Sequence, residues 1–219
     1  MENKEVYFEN LNGIVASFIG DSLFGGHRLG KEPTWIGLLA QKYDMECNNY
    51  GSNGCTLSAC EGGANPIVSR YHEIADNNPD LIVIEGGRND YNKNAVIGEI
   101  GGDITTYKGA LSSVISGIRD KFPAATVVCV TFWRVGPREN ELGLPTSAYT
   151  DAMKDVCQSM GVPCIDATDD DACGVYMTNP EFRAKYCFVP GDVCHLNEEG
   201  FKNVMPFFER ELSRIMEKK

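Results

Sequence analysis

A serine follows a short apolar run near the start of the chain, in the stretch Ile14–Leu23 (IVASFIGDSL). The run is rich in residues that favour β-strands, and it ends at Gly20-Asp21-Ser22. Ligands of an open parallel sheet bind at the carboxyl ends of its strands, so a hydroxyl at this position is placed for nucleophilic attack. We therefore take Ser22 as a candidate nucleophile. A Gly-Asp-Ser tripeptide alone is more often a helix cap, because Ser and Asp are common at that position.

An acid and a histidine three residues apart, Asp192 and His195, precede the last helical pattern. At this spacing the carboxylate can hold one ring nitrogen, which leaves the other to take the proton of a serine hydroxyl. The chain has three histidines. His72 falls within a predicted helix, and His27 is so close in sequence to Ser22 that we expect it to line the pocket. His195 is therefore the candidate base and Asp192 its partner, the alternative being a surface acid beside a surface histidine.

Two further segments offer hydrogen-bond donors for an oxyanion, which a serine nucleophile needs. The side-chain amide of Asn89, in Gly87–Asp90 (GRND), follows a predicted strand and can point into the same crevice. The turn-rich loop Asn49–Thr56 contains Gly54, whose backbone N–H is a second candidate. Turns commonly use Asn and Gly, so each signal has a purely conformational alternative.

Taken together, the four segments resemble the motif blocks of the SGNH hydrolases, also called the GDSL esterase/lipase family. The blocks occur in the family's order as Gly20–Leu23 (GDSL), the loop with Gly54, Gly87–Asp90 (GRND) and Asp192–His195 (DVCH). The resemblance implies a flavodoxin-like three-layer α/β/α sandwich with a five-stranded parallel sheet, as a single domain over residues 1–219. It also implies serine-ester hydrolysis without metal or cofactor.

The resemblance further implies a role for individual residues. Ser22 would be the nucleophile, His195 the base and Asp192 the partner of the base. The oxyanion hole would consist of the N–H groups of Ser22 and Gly54 with the side chain of Asn89. Two positions depart from the family pattern or leave it ambiguous: Leu196 stands where the family often has Pro, and Gly51 competes with Gly54 for the second block.

The elements that must position these residues alternate between strand and helix, which predicts a parallel sheet covered on both faces. Strands are expected at 13–19, 45–50, 81–85, 126–131 and 162–166, and helices at 35–43, 67–75, 103–122, 147–160 and from 198 onward. Residues 24–30 are glycine-rich and expected to form a loop. Residues 169–191 lack a clear period, and we expect them to be an insertion that borders the site. Asn197 is expected to cap the final helix.

Composition excludes several classes of partner. The 219 residues suit one α/β domain, and a formal net charge of -11 argues against nucleic acids and anionic membrane surfaces. No apolar run is long enough to cross a bilayer, and Met1–Phe8 lacks the pattern of a signal peptide.

The nine cysteines contain no Cys-x-x-Cys spacing and no zinc-finger arrangement with histidine. We interpret most of them as reduced residues of a cytoplasmic protein. One disulfide in an exported protein is the alternative. A removed signal peptide and a homo-oligomer are both left open by the sequence.

The expected substrate is a small polar ester. The motif loops are rich in Gly, Asn and Ser and no long apolar lid is present, which favours a small acyl group, acetyl, on a carbohydrate-type alcohol. We expect Asp21, Tyr91, Trp133 and Arg134 to contact the substrate, although core packing would suit Trp133 as well. The alternatives are a lysophospholipase or thioesterase for medium acyl chains, and a non-catalytic carbohydrate-binding protein of the same fold. A nucleotide-binding protein is disfavoured because no glycine-rich phosphate cradle follows the first strand.

Overall fold

A five-stranded parallel sheet runs through the protein, whose computed structural model describes residues 7–218. The strands are β1 Val15–Ile19, β2 Glu46–Asn49, β3 Leu81–Glu85, β4 Thr126–Val130 and β5 Cys164–Ile165. Their order is β2-β1-β3-β4-β5, and every neighbouring pair is parallel. The five-stranded parallel sheet implied by the family resemblance is thus confirmed. Residues 1–6 of Met1–Phe8, the segment that lacks a signal-peptide pattern, lie outside the described range.

The burial of each strand follows from its place in the sheet. All five residues of β3 are buried, which requires packing on both faces and explains the nearly continuous apolar run of this strand. The edge strand β2, by contrast, contains no fully buried residue. β5 is shorter than the expected range 162–166 and begins only at Cys164, because Pro163 has no N–H to contribute to a ladder.

Nine α-helices connect and cover the strands in the described part of the chain. They are α1 Ser22–Gly25, α2 Trp35–Lys42, α3 Ile67–Arg70, α4 Arg88–Asn92, α5 Tyr107–Lys121, α6 Thr146–Met160, α7 Asp170–Cys173, α8 Pro180–Tyr186 and α9 Glu198–Met216. α2 packs against α9, and α5 packs against α6. None of the helices within residues 7–218 combines the length and the apolar character needed to span a bilayer.

Several helix boundaries differ from those expected. The helix expected at 67–75 is the four-residue α3 followed by a 3-10 turn at Tyr71–Glu73. The helix expected from Asp103 starts only at Tyr107, because the Asp103 carboxylate accepts the Thr105 N–H at 2.8 Å and closes a local turn instead. The cap of α9 is confirmed, since the side chain of Asn197 accepts the N–H of Gly200 at 2.9 Å.

Two segments expected to be irregular contain short helices. Part of the glycine-rich stretch 24–30 belongs to α1, which ends at Gly25 and is followed by Gly26 in the left-handed conformation. The stretch 169–191 holds α7 and α8, and each of them begins with a side-chain cap, from Asp169 and Asn179 respectively. These caps act locally and need no hydrophobic period, which is why periodicity did not reveal the two helices.

An aromatic cluster fastens the nucleophile-bearing segment to the last helix. The fully buried ring of Trp35 stacks on Phe208 with centroids 3.9 Å apart, and it meets Phe18 and Phe24 edge-on at 5.7 and 5.5 Å. These residues come from β1, α1, α2 and α9. The turn that carries Ser22 therefore rests on a rigid apolar base.

Replacing Trp35 with Ala should lower the free energy of unfolding by about 3–5 kcal/mol, because a large ring is lost from a filled core. Urea unfolding followed by circular dichroism measures the change. Val96→Ala is the control, since Val96 is 58% exposed and its truncation should change stability by no more than about 0.5 kcal/mol. Equal effects of the two substitutions would contradict the role given to the aromatic cluster.

Candidate active site

Ser22, His195 and Asp192 form a continuous chain of hydrogen bonds at the carboxyl edge of the sheet. The Oγ of Ser22 lies 2.9 Å from Nε2 of His195, and Nδ1 of His195 lies 2.9 Å from Oδ2 of Asp192. A carboxylate can only accept, so the ring proton sits on Nδ1 and Nε2 is left to accept the serine proton. The three residues predicted from two distant segments are therefore in contact, in an order that can activate a hydroxyl.

The carboxylate of Asp192 is held by its own turn. Its Oδ1 accepts the backbone N–H groups of Cys194 and His195 at 2.8 and 2.9 Å. Burial by itself would raise the pKa of Asp192, but these two N–H donors and the imidazole outweigh it and lower the pKa below the usual value. The residue therefore stays ionised and can fix the tautomer of His195.

The imidazole of His27 covers one face of His195. The two rings are stacked with centroids 3.9 Å apart and planes 14° from parallel, and the ring of Phe188 meets His27 edge-on at 5.4 Å. Burial, followed by repulsion from His195 and Arg28, lowers the pKa of His27, and the charge of Asp192 only partly opposes this. A neutral ring consequently lies against the candidate base. The sequence predicted that His27 lines the pocket but not that its ring stacks on His195.

The loop of His195 is anchored from below by Trp133. The indole N–H of Trp133 donates to the carbonyl of Cys194 at 2.9 Å, and the ring is only 2% exposed. The N–H of Phe188 donates to the carbonyl of His195 at 3.0 Å and ties the loop to the stretch 169–191. Trp133 thus supports the histidine loop and does not present its ring to a substrate, contrary to the expectation.

Of the other three residues expected to contact the substrate, Asp21 and Tyr91 are buried and Arg134 is exposed. Tyr91 is 5% exposed and packs edge-on against Tyr149, and Asp21 is fully buried. Both side chains are engaged inside the protein, Asp21 by Leu23 and Asn89 and Tyr91 by Tyr149, because a position at a strand end does not by itself decide whether the side chain turns inward. Arg134 is different: its side chain is 58% exposed, lies 4.0 Å from Asp170 and lines a cavity of about 200 Å³.

The second block contains two glycines with different constraints. The N–H of Gly51 donates to Oδ1 of Asn49, and a Cβ at Gly51 would lie 2.3 Å from the backbone nitrogen of Gly25. Gly51 is therefore required for the close approach of this loop to α1. Gly54 is exposed and has a φ of 75°. Of the two competing glycines, Gly54 is the better candidate for an oxyanion donor, because the N–H of Gly51 is already engaged.

The amide of Asn89 joins the first three blocks. Its Nδ2 donates to Oδ2 of Asp21 at 3.1 Å and to the carbonyl of Cys55 at 2.9 Å. Asp21 uses its other oxygen to accept the N–H of Leu23 at 2.8 Å, which caps α1. Both protons of the Asn89 amide thus have protein acceptors, so an oxyanion would have to replace one of them.

Arg70 is an important residue at this site that the sequence analysis missed. It is 5% exposed and donates to the carbonyls of Gly20, Tyr50 and Asn65 at 3.0, 2.8 and 3.2 Å. One guanidinium therefore ties the end of β1 to the loop that carries Gly54. An arginine in a predicted helix gives no signal of this kind, because its acceptors are backbone carbonyls of distant segments.

The chain resembles known proteins both in sequence and in fold. The sequence model of the GDSL-like Lipase/Acylhydrolase family matches residues 18–202. A crystal structure of a protein from Lactobacillus plantarum is 24% identical, with a TM-score of 0.81 over 93% of this chain and 98% of its own. A protein from Desulfitobacterium hafniense, assigned to the lipolytic G-D-S-L family, is 15% identical, with a TM-score of 0.66 over 93% and 99% of the two chains.

A family two carbohydrate esterase from Clostridium thermocellum, solved in complex with cellohexaose, also shares the fold. It is 16% identical, with a TM-score of 0.61 over 93% of this chain and 65% of its own. No curated protein matches the chain.

The geometry predicts that a fluorophosphonate probe labels Ser22, because its hydroxyl is in contact with an imidazole that can take its proton. Mass spectrometry of the labelled peptide identifies the site. His195→Ala should slow labelling by at least about a hundredfold, whereas His72→Ala, at an exposed histidine on another element, should leave the rate unchanged. Labelling at a different serine would remove Ser22 from the chemistry.

Proposed function

Because the chain belongs to the GDSL-like lipase/acylhydrolase family and is an ester hydrolase, we propose that it removes a small acyl group, acetyl, from a carbohydrate-type ester through a Ser22–His195–Asp192 triad. The observation that carries the mechanism is the pair of 2.9 Å contacts that joins the three side chains. Two catalytic segments 173 residues apart meet in the order that acyl transfer requires.

The reaction proceeds in two steps. Ser22 attacks the ester carbonyl while Nε2 of His195 takes the hydroxyl proton, and Asp192 stabilises the resulting imidazolium. The tetrahedral intermediate collapses, and His195 returns the proton to the departing alcohol. Water then attacks the acyl-enzyme by the same route and releases the acid.

The oxyanion is stabilised by the N–H groups of Ser22 and Gly54 and by the amide of Asn89. For Asn89 this means exchanging its neutral acceptor, the carbonyl of Cys55, for the oxyanion. Such an exchange is favourable because the oxyanion carries a full charge in the intermediate and none in the bound ester.

The surroundings of Ser22 support a small acyl group. Ser22 is 7% exposed, and it lies where the loop with Gly51 comes into contact with α1. Among the cavities in the described part of the chain are five of about 200 to 560 Å³, and neither Ser22 nor His195 lines any of these five. A medium acyl chain would need an apolar groove that leads away from the nucleophile.

The carbohydrate-type alcohol is supported by the rim beside His195, where the leaving group must lie to be protonated. There the half-buried ring of Phe188 lies beside His27, and the exposed Arg28 lies 5.7 Å from the Phe188 ring centroid. An aromatic ring flanked by polar groups suits a sugar. In this proposal Phe188, rather than Trp133, provides the aromatic ring that contacts the sugar. The fold shared with a carbohydrate esterase is consistent with the same class of substrate.

Asn89→Ala should lower kcat by about a hundredfold or more with little change in KM, because its amide acts on the transition state. Steady-state hydrolysis of nitrophenyl acetate measures the effect. Asn92→Ala is the matched control on the same helix, where the side chain is exposed, and it should keep wild-type activity. A kcat for Asn89→Ala above a third of the wild-type value would rule out the amide as an oxyanion donor.

A series of nitrophenyl esters from acetyl to decanoyl tests the acyl group. We expect kcat/KM to fall as the chain lengthens, because neither Ser22 nor His195 lines any of the five cavities named above that could take the added methylenes. Ser22→Ala supplies the background rate. Release of acetate from an acetylated glycoside tests the alcohol. Rates that rise with chain length would instead favour a lysophospholipase or thioesterase, and the absence of all turnover would favour a binding protein.

A further inference from the structure

Three carboxylic acids are buried directly beneath the nucleophile. Asp21 and Asp90 are fully buried, and Glu85 is 1% exposed. The N–H of Asp21 donates to Oε2 of Glu85 at 3.1 Å, so Asp21 and Glu85 are in contact. Burying neighbouring negative charges is costly, and a group in this position relieves the cost by taking up a proton. The hydrogen-bond donors around each acid show which of the three carries the proton.

Asp90 and Asp21 are both surrounded by donors. Asp90 accepts the N–H groups of Leu57 and Ser58 and the hydroxyl of Ser58, at 2.8, 2.9 and 2.6 Å. Asp21 accepts the N–H of Leu23 on one oxygen and the amide of Asn89 on the other. Each of these arrangements matches an ionised carboxylate, whose oxygens only accept.

Glu85 is different. Its Oε2 accepts the single N–H of Asp21, and its Oε1 is buried without a hydrogen-bond partner among the described residues. An ionised carboxylate would leave this oxygen unsatisfied at a large cost. A proton on Glu85 removes that cost, because the resulting O–H can donate to the neighbouring carboxylate of Asp21.

We propose that Glu85 is protonated in the folded protein and donates to Asp21, and that it is thereby a positioning residue for the nucleophile turn and for Asn89. With this donor Asp21 remains an acceptor at both oxygens, one of which caps α1 at Leu23 while the other holds the Asn89 amide. The consequence for catalysis rests on the function proposed above. The location of the proton does not.

The charges around Glu85 agree with this assignment. Burial raises the pKa of all three acids, but hydrogen-bond donors oppose the rise at Asp21 and at Asp90. For Glu85 the burial, together with the negative charges of Asp21 and Asp90, raises the pKa well above its usual value. The guanidinium of Arg70 on α3 is directed to the Gly20 carbonyl and to Sγ of Cys55. The other titratable groups in the described residues that interact electrostatically with one of the three acids include His195, Cys55, Cys60, Cys194, Tyr107 and Tyr149. Arg88 interacts with Cys194.

Activity distinguishes Glu85 from Asp21 as the site of the proton. Glu85→Gln keeps the shape and a donor for Asp21, so it should retain at least about a third of the wild-type kcat on nitrophenyl acetate. Asp21→Asn replaces one acceptor oxygen with a donor that faces Leu23 or Asn89, and kcat should fall at least about tenfold. Glu85→Leu should also lower kcat about tenfold, because it leaves the N–H of Asp21 unpaired. If Asp21→Asn kept a higher kcat than Glu85→Gln, the proton would lie on Asp21 and the proposal would be overturned.

Stability against pH is a second readout that needs no substrate. A pKa that is raised on folding gives a contribution that is complete below the unfolded value and is lost as pH rises towards the folded value. From about pH 5 upward the Tm of the wild type should therefore fall relative to that of Glu85→Gln, which has no proton to lose. Glu61→Gln is the matched control at an exposed glutamate and should follow the wild type at every pH.

Infrared difference spectroscopy observes the proton directly. At neutral pH the wild type should show the carbonyl band of a protonated carboxylic acid, and this band should vanish in Glu85→Gln and persist in Glu61→Gln. A wild type without the band, or with the same dependence of Tm on pH as Glu85→Gln, overturns the proposal. Absence of esterase activity with the band present would instead count against the proposed function alone.

Discussion

The register between β1 and β3 is the constraint on which the site depends. Ile19 pairs with Ile84, so the two strands end side by side, and the residues that follow them meet at once. The contact of Asp21 with Glu85 and the bond from Asn89 to Asp21 both arise from this alignment. A slip of one residue would turn every side chain of a strand to the opposite face. The apolar patterning that sets the register therefore also determines where Ser22 lies.

Polar groups form the floor of the site, although apolar residues would be cheaper to bury. Their desolvation is offset by dense hydrogen bonding: Asp90 accepts from three donors, and Arg70 is satisfied by backbone carbonyls of three segments. These bonds add direction to the apolar contacts of the same loops, such as those of the buried Cys55 and Leu57. The polar floor thus positions the loop of Gly54 and the end of β1 relative to each other, as a catalytic constellation requires.

The base is held differently from the nucleophile. His195 and Asp192 lie in a loop after α8 rather than at a strand end, and backbone bonds fix this loop. Trp133 donates to the carbonyl before His195, while Phe188 donates to the carbonyl of His195 itself. The stacked ring of His27 then limits rotation of the imidazole. The nucleophile inherits its position from the sheet, whereas the base depends on contacts gathered from several elements.

The sequence by itself determined the alternation of strands and helices, the cap at Asn197 and the segments that supply Ser22, Asn89, Asp192 and His195. These are properties of short stretches, since periodicity, capping and motif spacing act over a few residues. Only the tertiary structure decided that Asp21, Tyr91 and Trp133 point inward, that His27 stacks on His195 and that Arg70 and Glu85 lie beneath the nucleophile. Each of these depends on a partner far away in the chain. A local pattern cannot specify that partner, because the depth and direction of a side chain are set by whatever packs against it once the strands are in register.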